Sequence, residues 1–304
     1  MKTRRSLLCF LSFWLPAFSP FALSITLAEY AKTRTPKIYI ARDVKDPGDA
    51  PLFKRDQTNN LKKGEPILTL SNLGLDDLDG ISALKVDYNG KIVPITEVPR
   101  LHLYFNNNKL TEIPSELGKL KNVLYIYFIN NRLTEIPRCM IELAGLEGMY
   151  FTGNKITELP AFLFTFTQLR KLEVSDNLIT VLPPEIGNLR NLIHFRLDGN
   201  KLTSLPDSMA KLVHLRVCDF SNNDLRSIPQ AWADTAKVLY QLRLNGNKNL
   251  TQFPDGPGFE TMTASLELKD TGVDIAKLPP KIRARVEAPR PSGENKPKPS
   301  RYDE

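Results

Sequence analysis

Eight residues hold most of the chemistry this chain has to offer. Tyr104, Tyr127, Tyr150, Glu173, Arg196, Asp219, Arg243 and Glu267 follow one another at intervals of 23 or 24 residues. Aromatic side chains are over-represented among residues that carry binding energy. Charges alternating in sign along a row either neutralise one another or orient a charged partner. Tyr125, two residues before Tyr127, adds a fourth ring, and Ile129 an apolar flank. This is the chemistry of recognition by contact. For bond-making chemistry there is no matching set. His102, His194 and His214 are spread along the chain, with His102 and His194 four intervals apart, and no Cys/His cluster has metal-ligand spacing. No G-x-S-x-G, phosphate-loop or paired-glycine pattern occurs. Asp198, Asp219 and Glu173 share one surface, where acidic residues are ordinarily solvated. The expectation is a protein without catalytic residues, metal or cofactor.

Seven asparagines set the frame that positions these side chains. Asn108, Asn131, Asn154, Asn177, Asn200 and Asn223 recur every 23 residues, and Asn247 follows at 24. A fixed period of this length means stacked turns rather than one closed core. With Leu192 as position 1, apolar residues fall at positions 1, 4, 6, 11, 14, 18 and 21, Asn at 9 and Pro at 15. Positions 3 to 7 alternate in and out as a short strand does, so neighbouring turns pair into one parallel sheet. After the strand the chain bends inward, and a buried Asn has an acceptor and two donors for the backbone of its own turn and the next. Pro114, Pro137, Pro160, Pro183, Pro206, Pro229 and Pro254 lack a donor and suit the side away from the sheet. There Leu117 with Leu120, and the equivalent pairs through Met209 with Leu212, are three apart, as one helical turn packing inward requires.

These repeated residues resemble the leucine-rich repeat family, in the 23-residue form whose unit ends LTxLPxxxGxLxxL, common in bacterial exported proteins and in eukaryotic Ras-pathway scaffolds. The resemblance covers residues 65–286. It implies an α/β fold: a right-handed solenoid with a concave parallel β-sheet and short helical segments on the convex side, binding a protein or peptide through the sheet. Fold alone names no partner.

The ends have a different composition. Residues 1–28 begin with Lys2, Arg4 and Arg5, continue through an apolar run and reach small residues at Ala22, Ser24 and Ala28, the order of a secretory signal peptide. An uncleaved anchor is the alternative, although Pro16 and Pro20 argue against an uninterrupted spanning helix. Residues 29–64 read as a linker. Residues 65–99 resume the frame in shorter units, with Leu68, Leu70, Leu75 and Leu78, then Ile81, Leu84, Val86 and Asn89. They are expected to cap the solenoid, as residues 263–286 do at the far end, where Thr271 replaces the Asn. The tail 287–304 has little to bury and is expected to be disordered.

The net charge of +7 is unevenly placed. Residues 1–63 hold 12 basic against 5 acidic residues, and 277–304 hold 8 against 4, so the repeats themselves are slightly acidic. That distribution argues against a nucleic-acid groove. It leaves the membrane in play only through the N-terminal segment. Cys139 and Cys218 lie about four turns apart, beyond disulfide reach at ~5 Å per turn. The cysteine-stapled caps of animal ectodomains are missing, so a bacterial secreted, periplasmic or envelope protein fits better.

The leading reading is an exported, non-enzymatic module that binds a protein or peptide through Tyr104, Tyr125, Tyr127 and Tyr150, with Glu173, Arg196, Asp219 and Arg243 as an adjoining platform. The rings either form an open ladder for a partner or stack to stabilise the sheet. A convex patch of Cys139, Ile141, Phe162 and Phe164 marks either an interface or a rotated, buried helix. Two other functions remain open: an envelope adhesive protein binding glycan or matrix, and a host-delivered effector that blocks a signalling protein.

Overall fold

The computed structural model describes residues 26–33, 35–36, 39–40, 65–262 and 265–287. The expectations for residues 1–25 and for the tail beyond 287 lie outside these residues. Each repeat contributes one short strand: β5 Leu101–Tyr104, β6 Val123–Tyr127, β7 Gly148–Tyr150, β8 Lys171–Glu173, β9 His194–Arg196, β10 Val217–Asp219, β11 Gln241–Arg243 and β12 Ser265–Glu267. They follow β1 Tyr39–Ile40, β2 Pro66–Thr69, β3 Lys85–Tyr88 and β4 Lys91–Pro94. The sheet runs β1-β2-β5 and then in chain order to β12, all parallel from β2 onward, with β1 antiparallel at its edge. Register steps by whole repeats, so Tyr127 pairs with Tyr150, Tyr150 with Glu173 and Glu173 with Arg196. Residues equivalent in sequence therefore stand side by side in space.

Positions 4 and 6 are inside. Leu103, Ile126, Met149, Leu172, Phe195, Cys218 and Leu242 at position 4 are fully buried, each large side chain gaining roughly 1.5–3 kcal/mol from burial. At position 6, Phe105, Phe128 and Phe151 stack with centroids 4.9 and 5.5 Å apart. Opposite the sheet, one 3-10 turn per repeat follows each proline: Ser115–Lys119, Arg138–Glu142, Ala161–Thr165, Pro184–Asn188 and Asp207–Lys211. Each buries the apolar residue expected at position 18. In the later repeats the turns become α2 Gln230–Thr235 and α3 Pro257–Glu260, where Trp232 and Phe259 meet edge to face at 5.5 Å.

The asparagine ladder is present, with its direction reversed from the expectation. Asn177 Nδ2 donates to Phe151 O at 2.9 Å in the preceding turn, and to Val174 O and Ser175 O in its own; its Oδ1 accepts from Ile156 N at 2.9 Å, again in the preceding turn. Asn131, Asn154, Asn200 and Asn223 repeat this pattern. The inward bend puts the freed groups of one strand beneath the next asparagine in the chain, so each turn is satisfied by its successor.

Position 8 is set by the backbone. Asn72, Asn107, Asn130, Asp176, Asn222 and Asp270 have φ between 51° and 59°, and Gly153, Gly199 and Gly246 take the same left-handed turn at 67° to 75°. Only Gly and Asn or Asp adopt it readily. Gly199 answers a second demand, because a Cβ there would overlap Asp176 Oδ1 of the preceding turn. We expect Gly199→Ala to lower unfolding free energy by about 1–3 kcal/mol, and the added change Asp176→Gly to recover part of it. Denaturant melts of the two variants check this; no recovery in the double variant would leave left-handed strain as the sole cause.

The N-terminal cap differs from the expected outline. Residues 29–64 are not all linker: α1 Leu27–Thr33 packs Leu27 into the core, Pro36 O accepts from Asp87 N at 2.9 Å, and β1 joins the sheet. The first unit of the cap is a true turn, containing β2, but the second is an antiparallel hairpin, β3 with β4. Asn89 and Gly90 form its two-residue turn at φ 55° and 78°, the arrangement that an Asn-Gly pair favours. Asn89 is therefore no ladder residue. At the other end Thr271 Oγ1 donates to Leu268 O at 2.8 Å, and α4 Pro280–Glu287 closes the core with Ile282.

Candidate functional site

The concave face is the set of side chains at positions 3, 5 and 7 of each strand. Its two halves differ more than their sequences suggest. In the N-terminal half, Tyr104, Tyr127 and Tyr150 stack with centroids 4.0 and 4.2 Å apart, nearly parallel. Beside them His102 stacks on Tyr125 at 4.6 Å. Of the two arrangements considered, an open ladder and a stack that stabilises the sheet, the rings take the second: Tyr104 is 1% exposed, Tyr127 0%, Tyr150 4% and Tyr125 6%. The reason lies in how they lean. Tyr125 lies across Gly148, where a Cβ would strike its ring, and both faces of Tyr127 are taken by its neighbours. With Ile67, Leu124 and Ile129 the rings form a second apolar cluster, separate from the interior. Burial pushes the Tyr125 phenol well above its ordinary range, reinforced by Glu147, and burial does the same to Tyr104 and Tyr150.

A polar group flanks this cluster. Glu65, just ahead of β2, meets His102 Nε2 at 2.8 Å and Arg100 at 2.9 Å, while the Tyr125 hydroxyl meets Glu147 Oε2 at 3.3 Å. His102 is fully buried and Glu65 is 7% exposed, so the pair ties the start of β2 to β5. Neither acid belongs to the strand columns, and the only signal for the contact was an acidic residue one strand from a histidine.

The C-terminal half is polar and half-buried. Glu173 and Arg196 approach at 3.9 Å, and Arg243 contacts Asp219 and Glu267, each at 3.2 Å. Neighbouring charges neutralise one another, as the alternation allows. Burial works against the Arg243 guanidinium, but Asp219 and Glu267 hold it firmly protonated. Asp219 is itself buried, its Oδ1 accepting from Ser221 N at 3.1 Å. Burial raises the Asp198 carboxyl, although a hydrogen bond from Ser175 works the other way. Lys171, Glu173, His194, Arg196, Asp198, Gln241, Arg243 and Glu267 all retain partial solvent contact.

Elsewhere the structure offers less. Phe164 is buried and Phe162 is packed against the core, so the convex patch is largely absorbed by its helix. Cys139 and Cys218 are free thiols. Among the described residues no group of three His, Cys, Asp or Glu side chains is placed to hold a metal, and no helix is long and apolar enough to cross a membrane.

With this architecture in view, two matches bear on the repeats. Residues 167–225 and 101–120 each match a family profile described as leucine rich repeat. The repeats of this chain are leucine-rich repeats. Among solved structures, it is similar to a leucine-rich repeat protein of Leptospira interrogans, 28% identical, with TM-score 0.53 over 70% of this chain and 52% of that one. The chain thus spans about half the length of that relative. Two plant structures share 27% identity. One is the peptide hormone receptor RGFR1 in complex with RGF2, at TM-score 0.48 over 59% of this chain and 34% of that one. The other is the leucine-rich repeat ectodomain of the Arabidopsis thaliana membrane receptor kinase GASSHO1/SCHENGEN3 in complex with CASPARIAN STRIP INTEGRITY FACTOR 2, at 0.46 over 60% and 25%. No curated protein matches. In leucine-rich repeat terms, this chain has the regular ladder along its length and a divided concave face.

Proposed function

We propose that this leucine-rich repeat protein is an exported, non-enzymatic module that holds a protein or peptide partner on its concave sheet, with the contact centred on the charged half. One observation carries the reading. Along the concave face the tyrosine half is closed, whereas Lys171 through Glu267 present half-buried side chains of both signs in strict register. Such a row, one residue per ~4.8 Å strand spacing, matches a polypeptide that presents charges of opposite sign to it, and charge complementarity of this kind fixes register and orientation. Tyr104, Tyr125, Tyr127 and Tyr150 then act as the rigid wall beside the contact.

Exchanging a pair tests it. Glu173→Arg with Arg196→Glu keeps the attraction within the pair, which is worth roughly 0–1 kcal/mol at such partly exposed positions, and reverses the pattern shown to a partner. The expected result is at least about a tenfold loss of capture in a quantitative cross-linking pull-down, with the melting temperature lowered only slightly, because a carboxylate at position 196 then faces Asp219 on the next strand. Undiminished capture of the same partner would move the contact off this face.

A further inference from the structure

Beyond Pro20 the leader-like N-terminal stretch has three places where small residues stand one and three positions before a peptide bond, as leader-cutting endopeptidases require. They are Ala22 with Ser24, Ser24 with Thr26, and Thr26 with Ala28. The fold tells them apart. Thr26 and Glu29 cap α1 reciprocally, Thr26 N donating to Glu29 Oε2 at 3.0 Å and Glu29 N to Thr26 Oγ1 at 3.1 Å, a pairing that satisfies two otherwise orphaned donors. Leu27 is 1% exposed and shares the core of Leu78, Ile81 and Leu84, while its N–H reaches Asp77 Oδ1 at 3.4 Å. Ala28, by contrast, is exposed. Hydrolysis after Thr26 would discard the cap, and hydrolysis after Ala28 both the cap and the buried leucine, uncovering the end of a solenoid that needs its end turns covered.

We infer that the mature chain begins at Ile25, so that α1 survives as the first element of the N-terminal cap. Water, delivered by an endopeptidase selective for small residues, cleaves the Ser24–Ile25 bond, leaving a carboxylate on Ser24 and an amine on Ile25. The inference rests on the export reading above and adds to it the point of processing and the reason for it.

The test uses the full chain, produced in a bacterium with its own N-terminus and recovered from cytoplasm, envelope and medium for N-terminal sequencing and intact mass. The expected first residue is Ile25. Ser24→Leu should abolish processing, and Ala28→Leu, at an exposed position, should leave it intact. A mature chain beginning at Glu29 or at any other residue, or one whose processing Ala28→Leu blocks, overturns the inference while export stands. An unprocessed chain in the envelope overturns the inference and favours an anchor. Retention in the cytoplasm overturns the export reading and the inference with it.

Discussion

Asn177→Leu lowers the unfolding free energy by about 4 kcal/mol and splits the denaturation curve. The leucine fits the volume but not the hydrogen bonds. Ile156 N–H loses the acceptor it has at 2.9 Å, and the carbonyls of Phe151, Val174 and Ser175 each lose one donor, keeping those from Asn154, Asn200 and Gly153 N. An unsatisfied buried donor costs about 1–3 kcal/mol, and three weakened carbonyls add to that. Because each repeat contacts mainly its neighbours, the defect lies in the middle of the stack and should separate unfolding of the repeats on either side. Asn177→Asp is expected to be worse, since it keeps the acceptor and sets a charge against three carbonyl oxygens. Urea denaturation followed by circular dichroism reads both. A leucine variant within 1 kcal/mol of the parent would mean that the ladder bonds are replaceable by water.

Tyr127→Ala is the second large effect, a loss of about 3–5 kcal/mol, the range for truncating a fully buried aromatic side chain. Tyr127 has a ring on each face, at 4.0 and 4.2 Å, so the truncation opens a gap in the middle of the stack and strands Tyr104 from Tyr150. Tyr127→Phe retains the stacking and should cost far less, which separates packing from the hydroxyl. If Tyr127→Ala melts like the parent while capture of a partner is lost, the rings are an open binding ladder after all and the division of the face is wrong.

How much of this was legible in the residues depends on what each position answers to. The interior columns and the asparagines recur because the same backbone demand recurs, and seven repetitions leave no second frame. The tyrosine and charge columns were equally plain, but their burial was not. Exposure of Tyr125 turns on Gly148 being small enough to lie beneath it, a relation between different columns that no single column displays. Asn89 was drawn into the ladder by the strength of the frame, although Asn89-Gly90 between β3 and β4 is a hairpin signal in its own right. Glu65 fell just outside the strand alternation, so its contact with His102 depended on knowing which strands adjoin. The left-handed turns at position 8 were visible only as a preference for Asn, Asp and Gly, whose common cause is a backbone angle.

The backward reach of the asparagines gives the solenoid a direction of growth. Each side chain completes backbone groups made 21 and 26 residues earlier, as Asn177 does for Ile156 and Phe151. On the ribosome, where N-terminal parts fold first, every turn must therefore wait about one repeat before its last bonds can form, and then closes without needing anything further downstream. The ladder stops before the end: Thr271 bonds Leu268 O within its own turn rather than reaching back to the turn of Asn247, and α4 packs against the last strand in place of a further turn.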